Sequence, residues 1–194
     1  MGWFNYYGLA VMAIIMIPNI VYAVKHKDDA ADYYANKAVV VLEQLGRYGC
    51  FALMIFNIPY TYFGFWFDNA LIVYLSVNGG LCIAYIACWI AFRNRHGMTR
   101  ALSLSIIPSC IFLFSGIVVA NIPLIVFSVI FAVNHILISC KNATKNPRRK
   151  KPTVEQKIKD EVIFIFVLVL VGLAVVGTIF GVGDSVFPLD IFVA

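Results

Sequence analysis

The amino-acid sequence predicts an all-α membrane protein with six transmembrane helices in one bundle and with both termini outside. Of its 194 residues, 62% are hydrophobic and 13% are charged, whereas about a quarter of a soluble domain is charged. Six apolar stretches are long enough to cross a bilayer. All Lys and Arg residues except Arg47 fall in Lys25–Lys37, Arg93–Arg100 and Lys141–Lys159. These basic stretches alternate with loops that lack Lys and Arg, so they predict the cytoplasmic side.

The six spans leave only short loops and one longer basic connection, so we expect a single transmembrane domain over residues 1–194. No separate water-soluble domain fits in the remainder. A functional site must therefore be built from helices and short loops within or beside the bilayer. The predicted spans are residues 3–24, 38–59, 70–92, 101–120, 122–139 and 162–183, and the basic cytoplasmic loop is 140–161.

The first span has no basic segment before it and is followed by Lys25 and Lys27. This pattern favours a retained helix with its N-terminus outside over a cleaved signal peptide. Pro18 lies inside this span, where neighbouring helices can satisfy the freed carbonyl group. After the second span comes the aromatic run Tyr60–Phe67, which is typical of the lipid headgroup level.

The third span is interrupted by Asn78, Gly79 and Gly80. We interpret the two glycines as helix-packing positions, because small residues let helices approach closely. The alternative is a local unwinding of the helix that lines a ligand path. Pro108 lies inside the fourth span, and the fifth follows after the short turn at 121–123.

The sixth span is preceded by Thr153 and Gln156, whose spacing is that of a capping box. The helix is therefore predicted to begin in the cytoplasm near Thr153 and to continue into the membrane. Gly177 and Gly181 within it are predicted to form a helix-contact face, in the bundle or between subunits.

Glu43 and Arg47 lie four residues apart in the second span, so they share one helix face in the favourable order. Arg47 would sit ~14 Å into the bilayer if the span begins at Ala38, and an intramembrane ion pair indicates a functional site. The alternative shifts the span outward to Leu45–Trp66. Both charges would then lie at the interface, with the Arg47 side chain reaching toward the headgroups.

Three further polar residues are predicted at a similar depth: Asn19 in span one and Asn134 and His135 in span five. Together with Glu43 and Arg47 they form the candidate site, a polar cavity in the cytoplasmic half. Because histidine titrates near neutral pH, His135 with Glu43 could relay a proton. The alternative is that these side chains only hold helices together.

The densest basic run is predicted to hold its loop in the cytoplasm and to contact anionic membrane lipid, since each basic residue near such a surface contributes roughly 1 kcal/mol. It contains Arg148, Arg149, Lys150 and Lys151. The net charge of +5 is explained by the cytoplasmic loops, so we expect no nucleic-acid partner.

Neither a metal site nor a cofactor is expected. No cysteine lies in a predicted external loop, and no Cys or His spacing is typical of zinc. The sequence also lacks HExxH, GxSxG and a phosphate-binding loop. An enzyme is therefore less favoured than a non-enzyme, although an intramembrane enzyme stays open as a third alternative.

Several short stretches along the first 143 residues form a distinctive set. They are Trp3-Phe4-Asn5 with Gly8, Ile17-Pro18-Asn19-Ile20, Leu42-Glu43-Gln44-Leu45-Gly46-Arg47, Asn57-Ile58-Pro59, Ser105-Ile106-Ile107-Pro108-Ser109 and Asn134-His135-Ile136. In these stretches the chain resembles an uncharacterised family of small bacterial multi-spanning membrane proteins. The resemblance implies a multi-pass protein of the bacterial cytoplasmic membrane, and it implies no activity.

The sequence leaves two main functions open. The first is a small transporter or membrane ligand-binding protein that takes a small-molecule substrate into the cytoplasmic half. The second is a non-catalytic accessory or interaction protein, for which the partner would be another membrane protein. Homo-oligomerisation and an inverted repeat of three plus three spans also stay open.

Overall fold

The structure is a computed structural model that describes residues 3–25, 36–92 and 97–145, together with short pieces at 153–155, 158–159, 161–163, 165 and 169. Its regular elements in the three long ranges are all α-helices. They are α1 (Tyr6–Lys25), α2 (Lys37–Ile55), α3 (Ala70–Ala91), α4 (Met98–Val118) and α5 (Ile122–Lys145).

All five of these helices are long and apolar enough to cross a membrane. They confirm an all-helical, membrane-embedded fold. The predicted sixth span at 162–183 lies almost entirely outside the described residues, as do Gly177 and Gly181. The described positions between 154 and 169 are helical, which agrees with a helix beginning near Thr153.

Consecutive helices run antiparallel, and each packs against two neighbours to form a ring in the order α1, α2, α5, α4, α3. The pairs α4–α5 and α2–α5 share the most extensive contacts, while α1 packs less extensively against α2 and α3. Across this ring of helices, α2 contacts α4 through two aromatic side chains. The ring centroids of Phe51 and Phe112 lie 6.0 Å apart. The core thus lies at mid-depth, between all five helices.

One end of the bundle is closed by aromatic residues and asparagines, and we call it the aromatic end. Here the backbone N–H of Asn57 donates to the carbonyl of Trp3 at 2.9 Å. The segment 56–69 crosses this end, and the indole N–H of Trp66 donates to the carbonyl of Ile117 at 3.2 Å. At the opposite end lie the helix termini that flank the three basic stretches, and we call it the basic end.

The close approach of α2 and α5 depends on two glycines of α2. A Cβ atom added at Gly46 would lie 2.8 Å from the backbone nitrogen of Phe131, and one at Gly49 would overlap the ring of Phe127. Only a glycine lets two helix backbones come this close. Since the helices are antiparallel, this contact places Glu43, one turn before Gly46, opposite His135, one turn after Phe131.

The main differences from the predicted spans lie in α2, α3 and α5. The second helix ends at Ile55 rather than at Pro59, because Phe56 and Asn57 leave the helix to pair with the chain before α1. The helix therefore covers only the first half of the alternative span Leu45–Trp66. The third helix continues without interruption through Asn78, and α5 runs six residues beyond Ser139.

Candidate functional site

A cavity of about 640 Å³ lies inside the ring at the basic end. It extends from the helix termini at Gly97 and Asn142 down to Phe112 on α4 and Phe131 on α5. At 1.5 Å per residue this depth is roughly 20 Å along α4, which is more than half of a bilayer core of ~30 Å. Side chains from all five helices line it.

Glu43 is the centre of the polar side of this cavity. Glu43 is only 2% exposed. Its Oε1 atom accepts a hydrogen bond from the guanidinium group of Arg47, and the two side chains form a salt bridge. The Arg47 side chain remains 35% exposed and lines the cavity. The predicted pair therefore exists, with a buried carboxylate and a guanidinium group that faces the cavity.

His135 is the second partner of Glu43. Its Nδ1 atom lies 2.9 Å from the same Oε1 atom. A carboxylate only accepts hydrogen bonds, so Nδ1 carries the proton that is donated. The imidazole ring stacks on Phe131, with ring centroids 4.5 Å apart and an angle of 18° between the planes. This stacking and the hydrogen bond together hold the ring in one orientation.

On the opposite wall, Arg100 contributes a second guanidinium group. The residue is 8% exposed, and its Cζ atom lies 4.9 Å from the ring centroid of Tyr22 and 5.2 Å from that of Trp89. Those two rings also contact each other, with centroids 5.1 Å apart. Cation–π contacts of this kind stabilise a charge that has little access to water.

The polar wall continues through Asn19 and Tyr85. The Tyr85 hydroxyl donates to the Oδ1 atom of Asn19 at 3.0 Å, and the Asn19 amide donates to the carbonyl of Ile15 at 3.0 Å. Both residues line the cavity.

Four of the five predicted site residues thus meet around one cavity: Asn19, Glu43, Arg47 and His135. Asn134 does not join them, because its amide donates to the carbonyl of Ile130 one turn earlier in its own helix, at 2.7 Å. It is neither a lining residue nor a partner of Glu43.

Sequence reasoning missed the opposite wall, formed by Tyr22, Trp89 and Arg100, and it missed Tyr85 on the polar wall. In the sequence Arg100 belongs to the basic stretch Arg93–Arg100, whereas in the structure it lies inside α4. The spacing of Tyr85 and Trp89, four residues apart, was an available signal, because it places two amphipathic rings on one face of α3.

The predicted packing role of Gly79 and Gly80 is not seen within the described chain. Both face outward on α3, and a Cβ atom at either position would meet no heavy atom within 4 Å. The close contacts lie instead at other glycines: Gly8, which lies against the carbonyl of Met54, and Gly46 and Gly49, which lie against α5. The predicted lipid contacts Arg148, Arg149, Lys150 and Lys151 lie outside the described residues, as do Gly177 and Gly181.

Comparison of the chain with protein-family models, with curated proteins and with solved structures finds no match. The resemblance to a bacterial membrane family therefore stays an expectation from the sequence motifs. Functional inference depends on the cavity and its residues alone.

Proposed function

We propose that this protein binds a small molecule in the cavity at the basic end, as a small transporter or a membrane ligand-binding protein. The observation that carries the proposal is a space of about 640 Å³ in a membrane-embedded bundle, lined by an ionic network around the buried Glu43. Ligand cavities in proteins commonly measure 300–1,000 Å³ and combine an apolar lining with a few polar groups.

The placement of the charges supports a ligand role over a purely structural one. Ionisable residues inside a membrane bundle are costly, and they typically face a cavity or a substrate path. Here Glu43, Arg47 and His135 come from two helices and point into one space. In an accessory protein, polar groups that only join helices would need contacts such as those of Glu43 with Arg47 and His135. They would not need a cavity beside those contacts.

The basic end is proposed to face the cytoplasm of a bacterial cell, because the termini of the five helices at this end adjoin the three basic stretches. The ligand would then enter or leave on the cytoplasmic side. A cysteine placed at Lys145 should resist an impermeant thiol reagent added to intact cells, and one at Ser185 should react. Strong labelling at Lys145 would reverse the orientation.

Native mass spectrometry of the purified protein tests ligand binding directly. We expect the wild-type protein to carry a small-molecule adduct that is absent from Leu104→Trp, because Leu104 lines the cavity and a larger side chain fills it. Ile117→Trp is the matched control on the same helix, since Ile117 is exposed on the outer surface. A wild-type protein without an adduct, or an equal adduct in Leu104→Trp, would contradict the proposal.

A further inference from the structure

The imidazole ring of His135 keeps one nitrogen atom for a ligand. Its Nδ1–H group is used by Glu43, at 2.9 Å, and a neutral imidazole then has a hydrogen-bond acceptor at Nε2. Within the described part of the chain, Nε2 has no hydrogen-bond partner and is not sealed inside the protein. The side chain is 22% exposed and lines the cavity. Nε2 is therefore an acceptor that a ligand in the cavity can reach.

The guanidinium group of Arg47 supplies hydrogen-bond donors beside this acceptor. It carries several N–H groups, and within the described residues its hydrogen bond goes to Glu43. Arg47 and His135 bind the same Oε1 atom of Glu43, so their side chains lie next to each other. The polar wall thus offers donors and an acceptor side by side. A hydroxyl group both donates and accepts through one oxygen atom, so it can bind to both side chains.

The charges around Glu43 favour an uncharged ligand group. The Glu43 carboxylate and the Arg47 guanidinium group already balance each other in a salt bridge. An anion at Arg47 would approach the carboxylate, and a cation at His135 would approach the guanidinium group, so either would meet a like charge. A charged ligand group would also lose its hydration in a largely apolar space. A hydroxyl group avoids both costs.

The deep part of the cavity is apolar. Phe51, Phe112 and Phe131 line it together with Ile15 and Met16 from α1. Phe112 packs edge-on against Phe131, with ring centroids 5.4 Å apart. A ligand with its hydroxyl group at the polar wall would therefore place the rest of its body against hydrocarbon and aromatic surfaces, where apolar area gains about 25 cal/mol per Å² when it leaves water.

We propose that the cavity binds an uncharged amphipathic alcohol or phenol, whose hydroxyl group donates to Nε2 of His135 and accepts from Arg47. Its apolar body lies toward Phe112 and Phe131. Glu43 is a positioning residue in this arrangement, because its carboxylate holds both partners of the hydroxyl group. This inference rests on the proposed ligand-binding function and adds the chemical class of the ligand. Both a soluble alcohol and a membrane lipid with a free hydroxyl group carry this chemistry.

A series of ligands with one body and different head groups tests the class. The full chain is purified in detergent at about pH 8.5, where histidine is ordinarily neutral. It is titrated with 4-phenylbutanol, its methyl ether, 4-phenylbutyrate and 4-phenylbutylamine, and the melting temperature is followed. A ligand that binds only the folded state raises the melting temperature with its concentration. We expect the strongest binding for the alcohol, at least about fivefold weaker binding for the other three, and no binding of the alcohol in Leu104→Trp.

Two substitutions separate the two hydrogen bonds of the hydroxyl group. His135→Phe removes the acceptor and keeps an aromatic ring on Phe131, so it should bring the affinity of the alcohol down to that of the ether. Arg47→Met removes the donors, so it should weaken the alcohol and the ether by the same factor.

Lys141→Met is the control for Arg47→Met, because it removes the same charge from an exposed position on α5 that does not line the cavity. It should leave both affinities unchanged. If His135 only stabilised the fold, His135→Phe would weaken both ligands together and would preserve the ratio of their affinities. That result would overturn the assignment of the acceptor.

Nitrogen NMR tests the same atom without replacing His135. The chain has three histidines, so His26→Gln and His96→Gln together leave a single imidazole ring to label. At about pH 8.5 we expect an unprotonated Nε2, whose resonance shifts when 4-phenylbutanol is added and stays in place with the methyl ether. A proton on Nε2 of the neutral ring, or equal shifts with both ligands, would overturn the proposal.

The outcomes separate this inference from the proposed function. Preferred binding of the anion, the amine or the ether, lost in Leu104→Trp, would overturn the alcohol and leave the ligand cavity standing. No binding of any of the four ligands would overturn the alcohol as well, and the native mass spectra would then decide on the cavity.

The source of the alcohol is distinguished in nanodiscs. Titration of 4-phenylbutanol is repeated in phosphatidylcholine alone and in phosphatidylcholine with diacylglycerol, a lipid that has a free hydroxyl group. A lower apparent affinity in the second membrane supports the hydroxyl site with lipid as its occupant. Equal affinities in both membranes support the same site with a soluble alcohol as its occupant.

Discussion

The two halves of the bundle use buried polar residues in different ways. In the aromatic half, the side chain of Asn5 accepts from the backbone N–H of Gly8, and that of Asn121 accepts from Leu124, each at 3.1 Å. These asparagines satisfy the first turns of α1 and α5. In the basic half, Glu43 bonds to the side chains of Arg47 and His135 beside an open space.

This difference separates structural polar groups from candidates for function. An asparagine that bonds to a neighbouring backbone group completes a helix end and needs no ligand. Asn78 and Ser115 in the aromatic half likewise use each other, at 3.1 Å between α3 and α4. Charged groups that face a cavity, by contrast, retain hydrogen-bonding capacity toward whatever enters it. Burial alone does not distinguish the two groups, because Glu43 is as fully buried as these asparagines.

The largest expected effect comes from Glu43. Glu43→Ala leaves Arg47 and His135 without their shared acceptor, so it should lower the free energy of unfolding by about 2–3 kcal/mol. Arg47→Ala should cost less, because that side chain already has partial access to the cavity. The double variant should cost less than the sum of the two, since contacting residues are not additive. Unfolding in detergent micelles measures all three.

His135→Ala sharpens the same prediction, because it should couple to Glu43→Ala by about 0.5 kcal/mol or more. Asn5→Ala in the aromatic half provides the uncoupled control. Additive effects of Glu43 and His135 would mean that the hydrogen bond between them contributes nothing.

A second prediction contrasts two glycines in helices. Gly46→Ala should lower the free energy of unfolding by about 1–3 kcal/mol, because the added methyl group meets the backbone of Phe131. Gly79→Ala should raise it by up to ~1 kcal/mol, because the position is open and alanine favours the helix. Melting temperatures of the two variants should therefore shift in opposite directions. A shift of both melting temperatures in the same direction would contradict a close contact between α2 and α5 at Gly46.

A third prediction concerns the helix caps of the aromatic half. Asn121→Ala should cost about 1 kcal/mol by removing the acceptor for Leu124. It should leave ligand binding in the cavity unchanged, because the site lies at the other end of the bundle. Measuring both quantities on the same preparation separates the two halves. If Asn121→Ala lost ligand binding but kept its stability, Asn121 would not have a purely structural role, and the contrast between the two halves would be wrong.

The smallest effect is expected at Asn134. Its amide bonds to the carbonyl of Ile130 in its own helix, and bonds of this kind contribute little to helix stability. Asn134→Ala should change the free energy of unfolding by less than about 0.5 kcal/mol and should leave binding unchanged. A binding defect as large as that of His135→Ala would return Asn134 to the site.

Five of the predicted helices are confirmed, because their cause is local. Apolar length sets the helices, and the depth of Asn19, Glu43, Arg47 and His135 follows from counting residues along each one. What counting residues could not predict is which faces meet. The pairing of Glu43 with His135 depends on the contact between Gly46 and Phe131, and the role of Arg100 depends on rings from α1 and α3.

Accessibility of single cysteines tests the central claim, an open cavity in the basic half beside a closely packed aromatic half. Met16→Cys lines the cavity, Ile17→Cys points outward at 60% exposure, and Ser115→Cys is buried in the aromatic half. The variants are made in a background in which all five native cysteines are replaced by alanine, since Cys110 and Cys140 are partly exposed. Reaction with the anionic reagent 2-sulfonatoethyl methanethiosulfonate is followed in proteoliposomes, with that background as the blank. We expect fast modification at Met16→Cys and slow modification at the other two positions. Equal rates at all three positions, or a faster reaction at Ser115→Cys, would contradict it.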